Sequence, residues 1–581
     1  MRSFLGRFHR PMSRGLVNNM LTMNNLGDGS TLSLDFTAMG DVLDPRLTFS
    51  RASTATFVNS SGYVQFANAN CFTYSNPRNL TTAWNATGTV TWNGTGGIAD
   101  PIDGTNAQSI TFGTAASAIF NTAGTIVTSG ITHTFSVWLR AASGTTNARI
   151  GSSNTGAVST VALTTTWQRF SCQYVTNGTN DGGAIYSQTV TATPEIYVWG
   201  AQVQPGSIVG DLIQTSGTQN YSTPRFDYSP TNIGEPRGLL VEGQAINLAY
   251  RSNDFAITPL DGNNWNSSGY TADFTSTSLP DGSTGNARRL SMASGSGSYR
   301  SSTITVTAST QYTFSFWARN NGGSQARYRV WNVTAGSSIV DYNLSGSNYV
   351  ASIGGANNTS STWVRISVTF TTPAGCTGIY IYPSSSDSGT VDLLVWGAQL
   401  ELGSGASSYI PTGASQVTRN TDSCLMSGTN FSSWFNNTEG TCLFVGDNSF
   451  VPAASNFSTN WALISAANSM RINNYTRHTS GRLGASARDS GGTALTFDSP
   501  TASPTNITTT AVYKTAFALK TNDFAYSVNG NTVGLGDGNG VFETVTSIEF
   551  ARDGIRNGHM KQFKYFPTRL SNAQLQTLTT P

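Results

Sequence analysis

The stretches THTFSVWLRAASG (132–144) and QYTFSFWARNNGG (311–323) decide the fold, because they are one strand written twice. In the second, Phe314, Phe316 and Ala318 alternate with Ser315, Trp317 and Arg319. Period two with aromatic residues marks a β-strand with one face turned inward. Two further segments recur in the same order. TTTWQRFSC (164–172) matches SSTWVRISV (360–368), and IYVWGAQVQPGS (196–207) matches LLVWGAQLELGS (393–404). Trp138, Trp167 and Trp199 thus correspond to Trp317, Trp363 and Trp396, at offsets of 179, 196 and 197. The second copy therefore carries an insertion between its first two tryptophans. Upstream, Pro101, Asp103–Gly104 and Asn106 match Pro280, Asp281–Gly282 and Asn286. Ordered repetition predicts two homologous modules, at 74–218 and 248–413. Ile304 and Val306 alternate with Thr303, Thr305 and Thr307 in the same style. Strands of this length, separated by Gly, Ser and Asn turns, predict jelly-roll sandwiches. Recurrence of the six tryptophans between modules with different surfaces predicts that they are core residues with a shared scaffold role.

A third β unit is predicted over 420–581. Phe524, Tyr526 and Val528 alternate before Asn529–Gly530, and Thr532 and Val533 follow. Asn-Gly between such runs marks a type I′ hairpin turn, which needs φ > 0 at both positions. Tyr513, Phe517 and Leu519 supply a neighbouring strand. Near the C-terminus, Ser571 followed by Gln574 is a capping-box pattern, with Ala573, Leu575 and Leu578 as the apolar side of a short helix.

Composition agrees with an all-β chain of about four domains. Of 581 residues, 38% are hydrophobic and only 11% charged, against about 25% charged in an average domain. Disordered chains combine low hydrophobicity with high charge, and a coiled coil needs about half Ala, Glu, Lys, Leu and Arg; the chain has neither composition. No apolar run reaches the length of a membrane-spanning helix. The net charge is +2, from 32 basic and 30 acidic residues, so there is no global footprint for nucleic acid. The five cysteines form no CxxC pair, which predicts reduced, buried thiols rather than a disulfide framework or a zinc site. At the N-terminus, Arg2, Arg7, Arg10 and Arg14 interrupt Phe4, Leu5 and Phe8. Those charges break up the apolar stretch a secretory signal needs. The segment 1–30 reads as a basic aromatic arm, either a frayed terminus or a peptide that orders on a larger partner.

Several stretches carry a family resemblance. FSRASTATFVNSSGYVQ (49–65) and STPRFDYSPTNIGEPRGLLVEGQAINLAY (222–250) resemble pieces of tailed-bacteriophage virion proteins. There the two pieces are usually near neighbours; here the first module stands between them. VWGAQLELGS with YIPT (395–412) is similar to carbohydrate-binding-module-like jelly rolls of phage fibres. The tail from YSVNGNTVG to LQTLT resembles the concanavalin A-like lectin/glucanase fold, related to laminin G-like domains. The resemblance implies a fibre or related virion appendage that binds host-surface glycans, made in the bacterial cytoplasm and assembled as a homotrimer. It implies an arm at 1–30 that docks on other virion proteins through Arg2, Phe4, Arg7, Phe8, Arg10 and Arg14. An anchoring region at 31–73 and a connector at 219–247 complete the expected layout. A head fibre or capsid decoration protein, a depolymerase tailspike and a bacterial adhesin remain the alternatives.

Sugars are held by aromatic faces on C–H surfaces and by polar groups on hydroxyls. ARYRVWNV (326–333) places Arg327, Arg329 and Trp331 on one strand face, suited to a polar or anionic glycan. The equivalent NARIGSSN (147–154) lacks the aromatic. Tyr299 and Arg300 are secondary candidates, and Tyr380 and Tyr382 share one face of GIYIYP. Enzymatic chemistry is not expected: His9, His133, His478 and His559 fall in no HExxH spacing, no GxSxG elbow occurs, and the glucanases' ExDxE strand is missing. Glu401, Glu543 and Glu549 lie in predicted strands without a readable partner. GLGDGNG (534–540) precedes a strand rather than a helix and reads as a loop. No cofactor is expected; a structural calcium is allowed by the resemblance, with no ligand set to name. Neither nucleic-acid binding nor membrane insertion is expected.

Overall fold

The computed structural model describes residues 27–581, apart from 39, 78–82, 114–116, 122–126, 188–192, 256–263, 324, 346–361, 387–388, 450–456, 468–469, 478–481, 489–493, 499–510, 532, 538–543, 553 and 555. Within them the repeat becomes two β-sandwiches with equivalent pairings. Strand Thr132–Ala141 pairs with Thr193–Pro205, placing Trp138 opposite Trp199. Strand Gln311–Asn320 pairs with Val391–Leu402, placing Trp317 opposite Trp396. Both pairings carry a β-bulge just beyond the tryptophan pair. The VWGAQ motif explains it: Gly200 and Gly397 sit at φ 62 and 67. A Cβ on Gly397 would lie 2.7 Å from the Trp317 ring. The bulge re-aims the strand, and only glycine takes that turn against an indole.

The first module stacks two five-stranded sheets, and the second stacks a six-stranded on a five-stranded sheet. All ladders between named strands of the described residues are antiparallel. The alternation read in the sequence is the burial pattern. Phe314, Phe316 and Ala318 lie in the core between the sheets, with Ile304 and Val306. Of the repeated tryptophans, Trp199, Trp317 and Trp396 are buried as expected, while Trp138, Trp167 and Trp363 are half-buried. Trp317 and Trp396 cover the outer face of their sheet with Tyr409 and Val64, and Trp363 packs against them. Indole N–H groups of Trp167 and Trp363 donate to Ala99 O (3.0 Å) and Ser278 O (2.8 Å) at equivalent places.

The expected boundaries are redrawn by strand pairing. The third sandwich is not confined to 420–581. Leu32–Asp35 pairs with Asn557–Phe566, Thr48–Ser50 pairs with Ser423–Ser427, and Pro236–Glu242 lies between Arg225–Tyr228 and Asn557–Phe566. One core joins Leu32, Leu34, Phe49, Phe226, Leu239 and Val241 to Trp461, Phe517 and Phe563. Leu32–Asp35 and Thr48–Ser50 of the expected anchoring region, and Arg225–Tyr228 and Pro236–Glu242 of the expected connector, are therefore strands of the last sandwich, and both modules are insertions into it. The modules also begin earlier than 74 in one copy. Asn70 Nδ2 donates to Ala201 O and Ile213 O, as Asn247 Nδ2 donates to Ala398 O and Ile410 O.

The interior is not free of charge. Where the three chain pieces meet, Arg51, Arg225, Glu242, Arg419 and Asp422 are all buried. Arg225 donates to Glu242 Oε2 (2.6 Å), to Asp422, to Thr56 O (2.8 Å) and to Ser408 Oγ (2.9 Å). Arg51 reaches Asp422 Oδ1 (3.0 Å) and Tyr221 O (2.7 Å). Burial alone would raise the Glu242 carboxyl. The guanidinium groups of Arg419 and Arg225, with hydrogen bonds from Ser408, outweigh that and hold it well below the usual carboxylate range. The FSRAST and PRFDYSP segments thus form a charged joint.

The hairpin and helix signals hold. Asn529 and Gly530 have φ 47 and 74, and Asn531 N donates to Val528 O (2.9 Å). Helix Asn572–Thr579 starts on a Ser571–Gln574 capping box. It buries Leu575 completely, with Leu578 beside it, while Ala573 is exposed. All five cysteines are unpaired; Cys172 is half-buried and the other four are buried. Among the described residues, no helix is long and apolar enough to cross a membrane.

Candidate glycan-binding face

Four strands of the second module's six-stranded sheet build the site: Gly297–Ser301, Gly378–Ser386, Gln325–Asn332 and Ser337–Ser345, which lie side by side. Tyr328 and Val330 turn toward the core, Tyr328 meeting the Phe316 ring edge at 6.2 Å. The alternate residues therefore face outward. Register sets Trp331 opposite Tyr380 and Arg329 opposite Tyr382. On the far side Arg329 stands opposite Asp341.

The result is a row of rings and guanidinium groups. Arg300 lies 3.8 Å from the Tyr380 ring centroid. Arg329 lies 5.7 Å from Trp331 and 5.9 Å from Tyr382. Both are cation–π distances. Tyr380 and Tyr382 meet edge to face at 6.4 Å. Asp341 clamps two arginines, Arg327 Nε at 2.5 Å and Arg329 Nη2 at 3.1 Å. Burial would raise the Asp341 carboxyl, but hydrogen bonding to Arg327 and the two guanidinium charges hold it below its ordinary value. Three arginines and one aspartate leave two positive charges on the face. The clamp fixes two flexible side chains beside a half-exposed indole. That arrangement can receive a sugar's apolar face on Trp331 and direct N–H donors at its oxygens.

The structure brings Arg300, Arg327, Arg329 and Trp331 together, with Tyr380 and Tyr382. It removes Tyr299 from the candidates. Tyr299 is completely buried, stacked on Trp265 at 5.7 Å, and its hydroxyl donates to Phe255 O at 2.6 Å. Tyr299 and Arg300 are neighbours on one strand, so only one of them can face out. Asp341 was missed by sequence reasoning. An acid in the stretch SSIVDYN (337–343), just downstream, was the available signal. The proposed docking residues Arg2, Phe4, Arg7, Phe8, Arg10 and Arg14 lie outside the described residues.

The first module keeps half of this arrangement. Arg149 stands opposite Tyr186, as Arg329 stands opposite Tyr382. Gly151 occupies the place of Trp331. A Cβ there would lie 2.0 Å from Ala157 O, because the turn that follows folds back with Ser152 N donating to Ala157 O. No side chain fits at that point.

Other groups with chemical potential have structural partners. His133 is buried with Nδ1 3.1 Å from Ile131 O, and burial pushes its imidazole down to about 4. His559 is buried between two carboxylates, Nδ1 2.7 Å from Asp447 Oδ1 and Nε2 2.8 Å from Asp227 Oδ2. Burial disfavours its charge, yet Asp447 and Asp227 outweigh that and raise the imidazole above its ordinary value. Glu401 is buried against Ser407 and Gln399. Glu549 pairs with Arg552 at 2.6 Å. His9, His478 and Glu543 lie outside the described residues. Among the described residues, no group of three or more His, Cys, Asp or Glu side chains is placed to hold a metal.

Comparison with curated proteins finds no match at the sequence level. Among solved structures, the CBM40 of the Ruminococcus gnavus IT-sialidase is 15% identical, covering 26% of this chain and 88% of that one, with a TM-score of 0.21. The N-terminal CBM22-1–CBM22-2 tandem of Paenibacillus barcinonensis Xyn10C is 12% identical, covering 61% of this chain and all of that one, with a TM-score of 0.19. The botulinum neurotoxin serotype D binding domain is 15% identical, covering 27% of this chain and 40% of that one, with a TM-score of 0.21. Residues 252–389, which hold every residue of the ring-and-guanidinium row, match the family of the carbohydrate binding domain.

Proposed function

We propose that this chain is a glycan-binding appendage protein of a tailed-phage virion, and that the outer face of its second module makes the contact. The observation that carries this reading is the row Arg300, Tyr380, Trp331, Tyr382 and Arg329, inside the segment that matches a carbohydrate binding domain. Its surplus of two positive charges suits an acidic glycan of the host surface. The third sandwich is read as a concanavalin A-like unit, and the basic arm as the attachment to other virion proteins. The protein acts by binding without hydrolysis, as a homotrimer whose repeated weak contacts gain avidity.

The test is binding of the purified chain to polysaccharide from candidate host cells, with soluble sugar release followed in the same sample. Saturable binding without release, weakened tenfold or more by Trp331→Ala, is the expected result. Sugar release would replace the adhesive reading with a depolymerase. Absence of binding to every susceptible host would favour a head fibre or decoration protein.

A further inference from the structure

A second cleft lies between the two modules, away from the ring-and-guanidinium face. Its floor is the hairpin of Thr56–Val58 and Val64–Phe66, and the modules form its walls. The cleft encloses about 510 Å³, within the roughly 300–1,000 Å³ range of small-ligand sites. The hairpin is tied to the second module, where Val64 N donates to Pro280 O at 2.9 Å and Thr56 Oγ1 donates to Tyr409 O, and Asn68 just after it is tied to the first, donating to Asp211 O at 2.7 Å. The cleft is thus held open by the fold.

Its chemistry is opposite to that of the outer face. Among the described lining residues there is no lysine, arginine or histidine, while Asp254 and Asp281 both contribute. Asp254 is paired with Arg251 at 3.7 Å, so exposed Asp281 is the carboxylate that would repel an anionic ligand there. The wall of the second module presents Phe274, 51% exposed. The buried Arg288 guanidinium lies 3.8 Å from that ring's centroid and is fixed by Ala272 O and Phe255 O. Phe274 is therefore an aromatic platform backed on one side and open on the other. Exposed Asn286 and Asp281 flank it on the same wall, and Gln173 and Val175 face it from the first module. An open ring among amide and carboxylate groups, with Arg288 buried behind the ring and no cation among the described lining residues, matches an uncharged carbohydrate chain: C–H faces on the ring, hydroxyls on the polar rim.

We infer that the cleft between the modules is a second binding site, taking a neutral oligosaccharide that stacks on Phe274 while Asp281 and Asn286 accept and donate to its hydroxyls. Two sites of opposite charge preference on one chain would engage two components of a host surface.

The full chain is titrated calorimetrically with cellohexaose, xylohexaose, mannohexaose and maltohexaose, and in parallel with an acidic polygalacturonate hexamer. At least one neutral hexaose is expected to bind, at least tenfold weaker to Phe274→Ala, near wild type to Phe274→Tyr, and unchanged in Trp331→Ala. Phe274 is half exposed, so its truncation leaves the fold intact, and an unchanged melting temperature confirms that. Absence of binding by all four neutral hexaoses overturns the inference. So does neutral binding that Phe274→Ala leaves intact, or that Trp331→Ala abolishes. Loss of acidic binding in Trp331→Ala alone concerns the outer face and reads that site separately.

Discussion

Replacing Arg225 with methionine tests whether the buried charged joint holds the last sandwich together. Arg225 is completely buried and donates to two carboxylates, a backbone carbonyl and a hydroxyl. Methionine refills most of the volume and removes every one of those bonds. Asp422 keeps Arg51 at 3.0 Å, and Glu242 keeps Arg419 at 3.5 Å. The joint then goes from three guanidinium groups and two carboxylates to two of each, so no bare surplus of charge is left. Breaking a buried pair by removing one partner costs about 3–5 kcal/mol. Retained balance favours the lower half of that range. The orphaned Thr56 carbonyl adds about 1 kcal/mol or more, giving about 4 kcal/mol in all. Hydrogen exchange read peptide by peptide is the suitable assay, because three sandwiches need not unfold in one transition. Peptides spanning 224–242 and 417–427 should exchange roughly 10³-fold faster. Those of the second module's inner strands should be unaffected. A change below about 1 kcal/mol, or uniform loss across all three sandwiches, would show that the joint is not what couples the pieces.

Tyr299→Phe should cost about 0.5–1.5 kcal/mol through loss of the bond to Phe255 O while leaving glycan affinity unchanged; an affinity loss in a folded variant would restore Tyr299 to the site. His559 has a raised imidazole, so its contribution is complete below about pH 6.5 and fades as pH rises through the folded value. Asp447, lowered first against its burial by the His559 charge and hydrogen bonds, contributes above about pH 4 and fades as pH falls further. Melting temperature should therefore be highest between about pH 4 and 6.5, and His559→Gln should flatten the alkaline side. Ser571→Ala should weaken helix Asn572–Thr579 by about 0.5–2 kcal/mol, seen as faster amide exchange confined to that helix; an unchanged rate would mean that Leu575 packing alone holds it.

Features encoded within a few residues were legible in the sequence. Alternation at Phe314, Phe316 and Ala318, the Asn529–Gly530 turn and the Ser571 cap depend on neighbours, and each appears where local chemistry puts it. Features that depend on distant pairing were not. Leu32–Asp35 is four residues long and pairs with Phe563 and Tyr565, so nothing local assigns it to a particular sheet. The tryptophans signalled packing but not which face of the sheet they cover. Arg327, Arg329 and Trp331 were legible as one face because period two fixes it. That Asp341 clamps the two arginines depends on the register of the neighbouring strand. NCFTYSN (70–76) and NLAYRSN (247–253) carried an unread repeat, whose Asn and Ser recur because both brace the same bulged strand.

Nesting both modules inside one sandwich has a consequence for biosynthesis. Leu32 faces Tyr565, so the partner strand of Leu32–Asp35 is made more than 500 residues later. At roughly 5–20 residues per second, the wait on the ribosome is about half a minute to nearly two minutes. During that time the modules, whose strands pair among themselves, can complete their own ladders, while Leu32, Leu34 and Phe49 remain apolar and without their sheet. Translation order thus makes the outer modules mature first and the shared sandwich last. A chain halted before Asn557–Phe566 would display finished binding faces on an unclosed base, a ready substrate for chaperones and proteases.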